Sequence, residues 1–151
     1  MRVLILAVST LCVLAIAQPV RAQTKPTPVL PDGWLPALAP SIRSSLEQLR
    51  EANSQAEMNR LSREVADMTD AQLFIAYVRL YEVLSPKERT ALVAEQAKWL
   101  KARAKAAEDG IESEGGSLAP LEANSAEVTF TEKRLAELRA RLKTAQKKSK
   151  S

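Results

Sequence analysis

From Ser41 to Asp109 the chain has no glycine and a single proline, Pro86. A stretch that long without a breaker, rich in Ala, Leu, Glu, Arg and Gln, has the composition of helix. No run alternates apolar and polar residues with period two, so no sheet is expected. The fold class that follows is all-α: a small antiparallel bundle of three to four helices, with long second to fourth helices.

Local signals place the helices. A short first helix is predicted over about 41–52, with Ile42, Leu46 and Leu49 on one face. Ser54-Gln55-Ala56-Glu57 has the form of a capping box and opens a second helix that runs to about Leu84. Met58, Leu61, Val65 and Met68 form its first stripe; Phe74, Tyr77, Tyr81 and Leu84 form a second, slightly rotated one. Thr69-Asp70-Ala71-Gln72 offers a restart and a kink between the two stripes. Ser85-Pro86-Lys87-Glu88 is a stronger start, with Ser at the cap, Pro at the first helical position and Glu at the third. The third helix is predicted from Pro86 to about Asp109, with Leu92, Gln96, Trp99, Arg103 and Ala106 or Ala107 on one face, and Gly110 ends it. After a loop of about ten residues, Leu121, Val128, Leu135 and Leu142 recur every seven positions, joined by Thr131 and Leu138. That heptad seam suits packing along a partner helix at a shallow angle.

The ends divide from this body by composition. Met1-Arg2 followed by the apolar run Val3–Ala17, with Val20-Arg21-Ala22 as the exit, has the form of a secretory signal peptide over residues 1–22, cleaved after Ala22. An uncleaved membrane anchor is the alternative. Pro26, Pro28, Pro31, Pro36 and Pro40 make residues 23–40 an extended linker, although Trp34, Leu35 and Leu38 imply that part of it folds back. The helical domain is assigned to 41–142 and a basic, disordered tail to 143–151. The pI of about 9.4 belongs to those ends: residues 23–142 carry 16 basic and 18 acidic groups. No basic face is left to suggest nucleic acid as a partner. Lys143, Lys147, Lys148 and Lys150 could give the tail a weak grip on a membrane surface or cell-wall polymer.

The chain has no histidine, and its one cysteine, Cys12, lies in the signal segment. Histidine-dependent triads, thiol nucleophiles, disulfide scaffolds and Cys-ligated zinc are thereby excluded from the exported chain. The expectation is a protein with no catalytic residues, no cofactor and no metal.

Several residues in order carry a resemblance. Ala56-Glu57-Met58-Asn59, then Tyr77, Tyr81 and Leu84, then Trp99-x-x-x-Arg103 lead into Glu114-Gly115-Gly116-Ser117, Pro120-Leu121 and Thr131-x-x-Arg134-x-x-Glu137-Leu138. Over roughly residues 49–142 the chain resembles the secreted bacterial family of the LprI-type lysozyme inhibitor N-terminal domain. The family usually carries four cysteines, which fall here on Leu49, Leu61, Ala107 and Ala126. All four are apolar in this chain, so the two bridges that the resemblance implies are absent together and no stray thiol remains.

Met58, Asn59, Trp99, Arg103, Thr131, Arg134 and Glu137 are read as a structural motif: Trp99 a core indole with Arg103 stacked beside it or paired to a carboxylate such as Glu137, and Thr131, Arg134 and Glu137 bracing the last helix on the third. The candidate site is the loop that carries Glu108, Asp109, Glu112, Glu114, Gly115, Gly116 and Ser117. Four carboxylates fall within seven residues, and two of them sit at a helix C-terminus, where the dipole disfavours them. A calcium loop would need a different ligand spacing. As a partner contact the segment has a mechanism. The resemblance implies a lysozyme, a basic protein with two carboxylic groups in its cleft, or another envelope protein; acidic groups would steer it in and the Gly-Gly-Ser tip would enter the cleft. The other function class is a helical structural or adaptor protein of the cell envelope, using the last helix's heptad face and the basic tail.

Overall fold

The computed structural model describes Val29, residues 38–113 and residues 116–148. The signal peptide assigned to 1–22, nearly all of the linker, Glu114, Gly115 and the last three residues lie outside the described residues. The described residues form four helices, α1 (Leu38–Glu51), α2 (Gln55–Val83), α3 (Pro86–Asp109) and α4 (Ala119–Lys148), and no strand. The chain is an all-α helical bundle.

The helices α2 and α3 begin as their sequences dictate. The Ser54 hydroxyl accepts the Glu57 amide at 3.2 Å. At α3 the box is complete: the Ser85 amide donates to Glu88 Oε2 at 2.9 Å, Ser85 Oγ accepts the Glu88 amide, and Pro86 sits at the first turn. The two hydrogen bonds from Ser85 hold the Glu88 carboxyl below its ordinary pKa, the hydroxyl contributing more than the amide. α1 starts at Leu38, inside the stretch read as linker. Its Pro40 is tolerated because first-turn amides have no intrahelical acceptor. The amide of Val29 donates to Glu82 near the end of α2, so this residue of the linker stretch lies against the bundle.

α4 packs chiefly along α2, α1 lies on α2, and α3 lies on α4; α2 and α3 meet less closely than either meets α4. The core gathers Leu73, Ala76 and Leu80 of α2, Leu92 of α3, and Leu135 and Leu138 of α4. Tyr77, Leu84, Trp99 and Leu142 close over it. The middle of the α4 heptad seam lies inside the bundle, with Thr131, Leu135 and Leu138 buried, whereas Leu121, Val128 and Leu142 are half-buried.

Three local expectations change. α2 is unbroken across Thr69, whose buried hydroxyl donates to the Val65 carbonyl at 2.8 Å instead of capping a new helix. The stripe of Leu61 and Val65 therefore continues without rotation through Leu73, Ala76 and Leu80. Phe74, expected in the core, is 62% exposed, and Tyr81 lies at the edge. In α1 the buried residue is Ser45 rather than Leu46: its hydroxyl donates to Glu64 on α2 at 3.0 Å, and the rotation turns Leu46 outward. At the other end α4 persists through Lys148, so 143–148 is helix rather than tail. Lys147 and Lys148 there complement the negative end of the helix dipole.

Candidate functional site

The α3–α4 connection runs from Gly110 to Leu118 and is fixed at both sides by side chains. Gly110 ends α3 with its amide on the Ala106 carbonyl. A Cβ added there would stand 2.4 Å from Ala126 Cβ on α4, so only glycine allows the two helices this approach. Next, the Glu122 carboxylate in the first turn of α4 accepts three hydrogen bonds from the loop: the amides of Glu112 at 3.2 Å and Ser113 at 3.1 Å, and the Ser113 hydroxyl at 2.7 Å. Those donors stabilise the charged form and lower the Glu122 pKa, the Ser113 side chain first and its amide second. On the far side of the tip, Asn59 Nδ2 of α2 donates to the Ser117 carbonyl at 2.8 Å. Between these ties Gly116 has φ +90°, a conformation that favours glycine.

Asn59 is itself held. Its Oδ1 accepts from Gln55 at 2.9 Å, and its backbone carbonyl accepts the Ser62 hydroxyl at 3.0 Å. Ser62 in turn accepts from the buried Asn124 amide of α4 at 2.9 Å. This polar run links α4, α2 and the loop where the implied family cysteines are missing. Leu61 is fully buried, Leu49 and Ala107 are half-buried, and Ala126 meets Gly110. Below the loop, a hollow of about 810 Å³ opens between Leu46 and Leu49, Met58 and Val65, and Leu121 and Val128, with Glu112 on its wall.

The site residues are thus partly brought together. Glu108 and Glu112 are exposed, and Gly116 and Ser117 form the exposed turn; Glu114 and Gly115 lie outside the described residues. Asp109, disfavoured by the dipole at the end of α3, is paired: Lys105, one turn earlier, stands 2.8 Å from it and offsets that penalty. Among the described residues no cluster of His, Cys, Asp and Glu could hold a metal ion. Asn59 and Met58, read as structural, stand at the loop and the hollow. Glu122 was not among the residues singled out; an acid in a helix's first turn is a local signal, but its loop partners nine and ten residues away are not.

The other conspicuous residues brace the bundle. Trp99 stacks on Phe130 of α4 with ring centroids 5.8 Å apart, and the Arg103 guanidinium lies over the indole at 5.2 Å. Arg103 pairs with Asp70 of α2, and with Glu127 of α4 at 3.5 Å, not with Glu137. Arg134, only 6% exposed, donates to Glu137 at 2.8 Å and to Gln96 of α3 at 3.3 Å, and stands 3.6 Å from Glu95.

Against this geometry, a family model described as lysozyme inhibitor LprI matches residues 47–138. The chain belongs to the LprI family. The match takes in α2, α3, the loop and most of α4, so the tied loop lies within the family's shared region. The family is one of inhibitors rather than enzymes. Neither the curated proteins nor the solved structures yield a match.

Proposed function

We propose that this LprI-family chain is an exported, non-enzymatic binding protein that inhibits a lysozyme by occlusion, with the α3–α4 loop as the contact. The observation that carries the reading is the double tie of the loop by Glu122 and Asn59, which presents Glu112 and the Gly116-Ser117 turn on a backbone fixed before binding. Preorganisation of this kind lowers the ordering cost of association. Acidic groups at Glu108, Glu112 and Glu114 attract a basic enzyme and raise its encounter rate. The turn then offers amides and a hydroxyl to the cleft carboxylates. The family and the form of the first 22 residues support export to the periplasm or beyond, and no described helix is long and apolar enough to cross a membrane.

The test is a titration of purified protein into a basic lysozyme of animal type, read as loss of lysis of bacterial cells. Near-stoichiometric inhibition is expected, weakened on the order of 30-fold or more when Glu112, Glu114 and Ser117 are all replaced by alanine, as for a hot-spot cluster. Undiminished inhibition by that triple variant sinks the loop model, and no inhibition by the parent protein sinks the function.

A further inference from the structure

α3 has two apolar faces. Leu92, Trp99 and Ala106 turn toward α4, whereas Val93, Ala97, Leu100 and Ala104 form a second stripe that is exposed along its whole length. Val93 and Leu100 are 49% and 47% exposed, and the neighbouring Phe74 of α2 is 62% exposed. Together with Tyr77 and Trp99 they line an open groove of about 430 Å³ between α2 and α3. The stripe members lie four, seven and eleven residues beyond the first, the spacing of a helix–helix seam. Exposed apolar surface of this continuity marks an association site.

We propose that this face is a homodimer interface in which α3 of one protomer lies antiparallel on α3 of its partner. The pattern of sizes selects that occupant and its register. With a two-fold axis between positions 97 and 100, Val93 of one protomer faces Ala104 of the other and Ala97 faces Leu100, so every large residue meets a small one. A parallel pairing in register sets Val on Val and Ala on Ala and leaves gaps. Isologous contact requires this kind of self-complementarity. The Asp70–Arg103 pair and the Arg89 cation over Tyr81 fix the α2–α3 register. They set Phe74 level with the axis, so the two Phe74 rings flank the centre of the seam. Charge agrees: on one edge of the helix, Lys87 of each protomer stands within two residues, about 3 Å along the axis, of the level of Glu108 of its partner, at both ends of the seam. One helix pair with flanking phenylalanines buries on the order of 1,000 Å² in total, the lower bound for a specific interface, so the dimer forms reversibly.

Sedimentation equilibrium of the purified chain, in the processed form that cells accumulate, tests this between about 1 µM and about 500 µM, a range suited to a dimer stable only by mass action. The expected result is a monomer–dimer equilibrium within that range. Ala97→Arg, at an exposed mid-helix position, should weaken it about 30-fold or more, as loss of a central contact does. Ala97→Leu alone, which sets leucine against leucine, should weaken dimerisation, and Ala97→Leu with Leu100→Ala, which exchanges large and small, should restore it. Circular dichroism confirms that each variant is folded. A monomer at every concentration overturns the proposal, as does a dimer indifferent to Ala97→Arg. Failure of the double variant to recover overturns the register.

Discussion

Where α2 turns into α3, the helices meet through Leu80, Leu92 and Leu138, each fully withdrawn from water. At the opposite end, around α1 and the α3–α4 loop, Leu61 and Val65 share the interior with Ser45, Ser62 and Asn124, and the loop itself hangs on Glu122 and Asn59. Apolar contact is strong but indifferent to small slides and rotations. Hydrogen bonds contribute less per contact but fix positions, because a partner that moves leaves a polar group unsatisfied. The first end supplies stability; the second supplies a fixed backbone, which is what a recognition surface needs.

The most severe way to break this contrast is to hollow the leucine end. Leu138→Ala should cost about 2–5 kcal/mol, read as a lower denaturant midpoint. The loop end should respond differently. Gly110→Ala should cost about 1–3 kcal/mol by forcing α3 away from Ala126, and adding Ala126→Gly should recover most of it. Ser62→Ala leaves the Asn124 amide buried without its acceptor and should cost about 1–3 kcal/mol. Replacing both Ser62 and Asn124 by alanine should cost less than the two single losses combined, because no orphan remains.

The smallest effect on global stability, and the most local, is expected at Glu122. Glu122→Gln should leave the unfolding midpoint nearly unchanged while speeding hydrogen exchange at the amides of Glu112 and Ser113. Acid should act in the same direction. The Glu122 pKa is lowered in the folded protein, so the clasp contributes fully above the ordinary carboxylate pKa and is lost as pH falls through the lowered value. Exchange at Ser113, corrected for its intrinsic pH dependence, should rise on acidification in the parent chain and not in Glu122→Gln. Equal behaviour of the two proteins would remove the clasp from the account.

Much of this architecture was legible in the sequence, because the signals were local. Ser85, Pro86 and Glu88 fix the start of α3, Gly110 ends it, and the seven-residue recurrence in α4 marks its buried seam. The face of α2 was misplaced because Thr69 carries the same letters as a cap and as a helix-interior residue bonding back to Val65. Only the continuity of the helix decides between them. Phe74 and Tyr81 then read as core when they border a groove. Within the site, the acidic loop was visible as a charge cluster, but its fixation was not: Asn59 reaches Ser117 across 58 positions, beyond any spacing rule.

The Gly110–Ala126 contact has a further consequence. Between α1 and the end of α4 the polypeptide contains no sulfur capable of oxidation to a bridge. Its struts are shape and polarity alone, so assembly requires no oxidant and no disulfide isomerase, and thiol reductants have nothing in this region to cut. A molecule built this way keeps its form in reducing and oxidising surroundings alike, and can be opened and closed again without scrambled bonds.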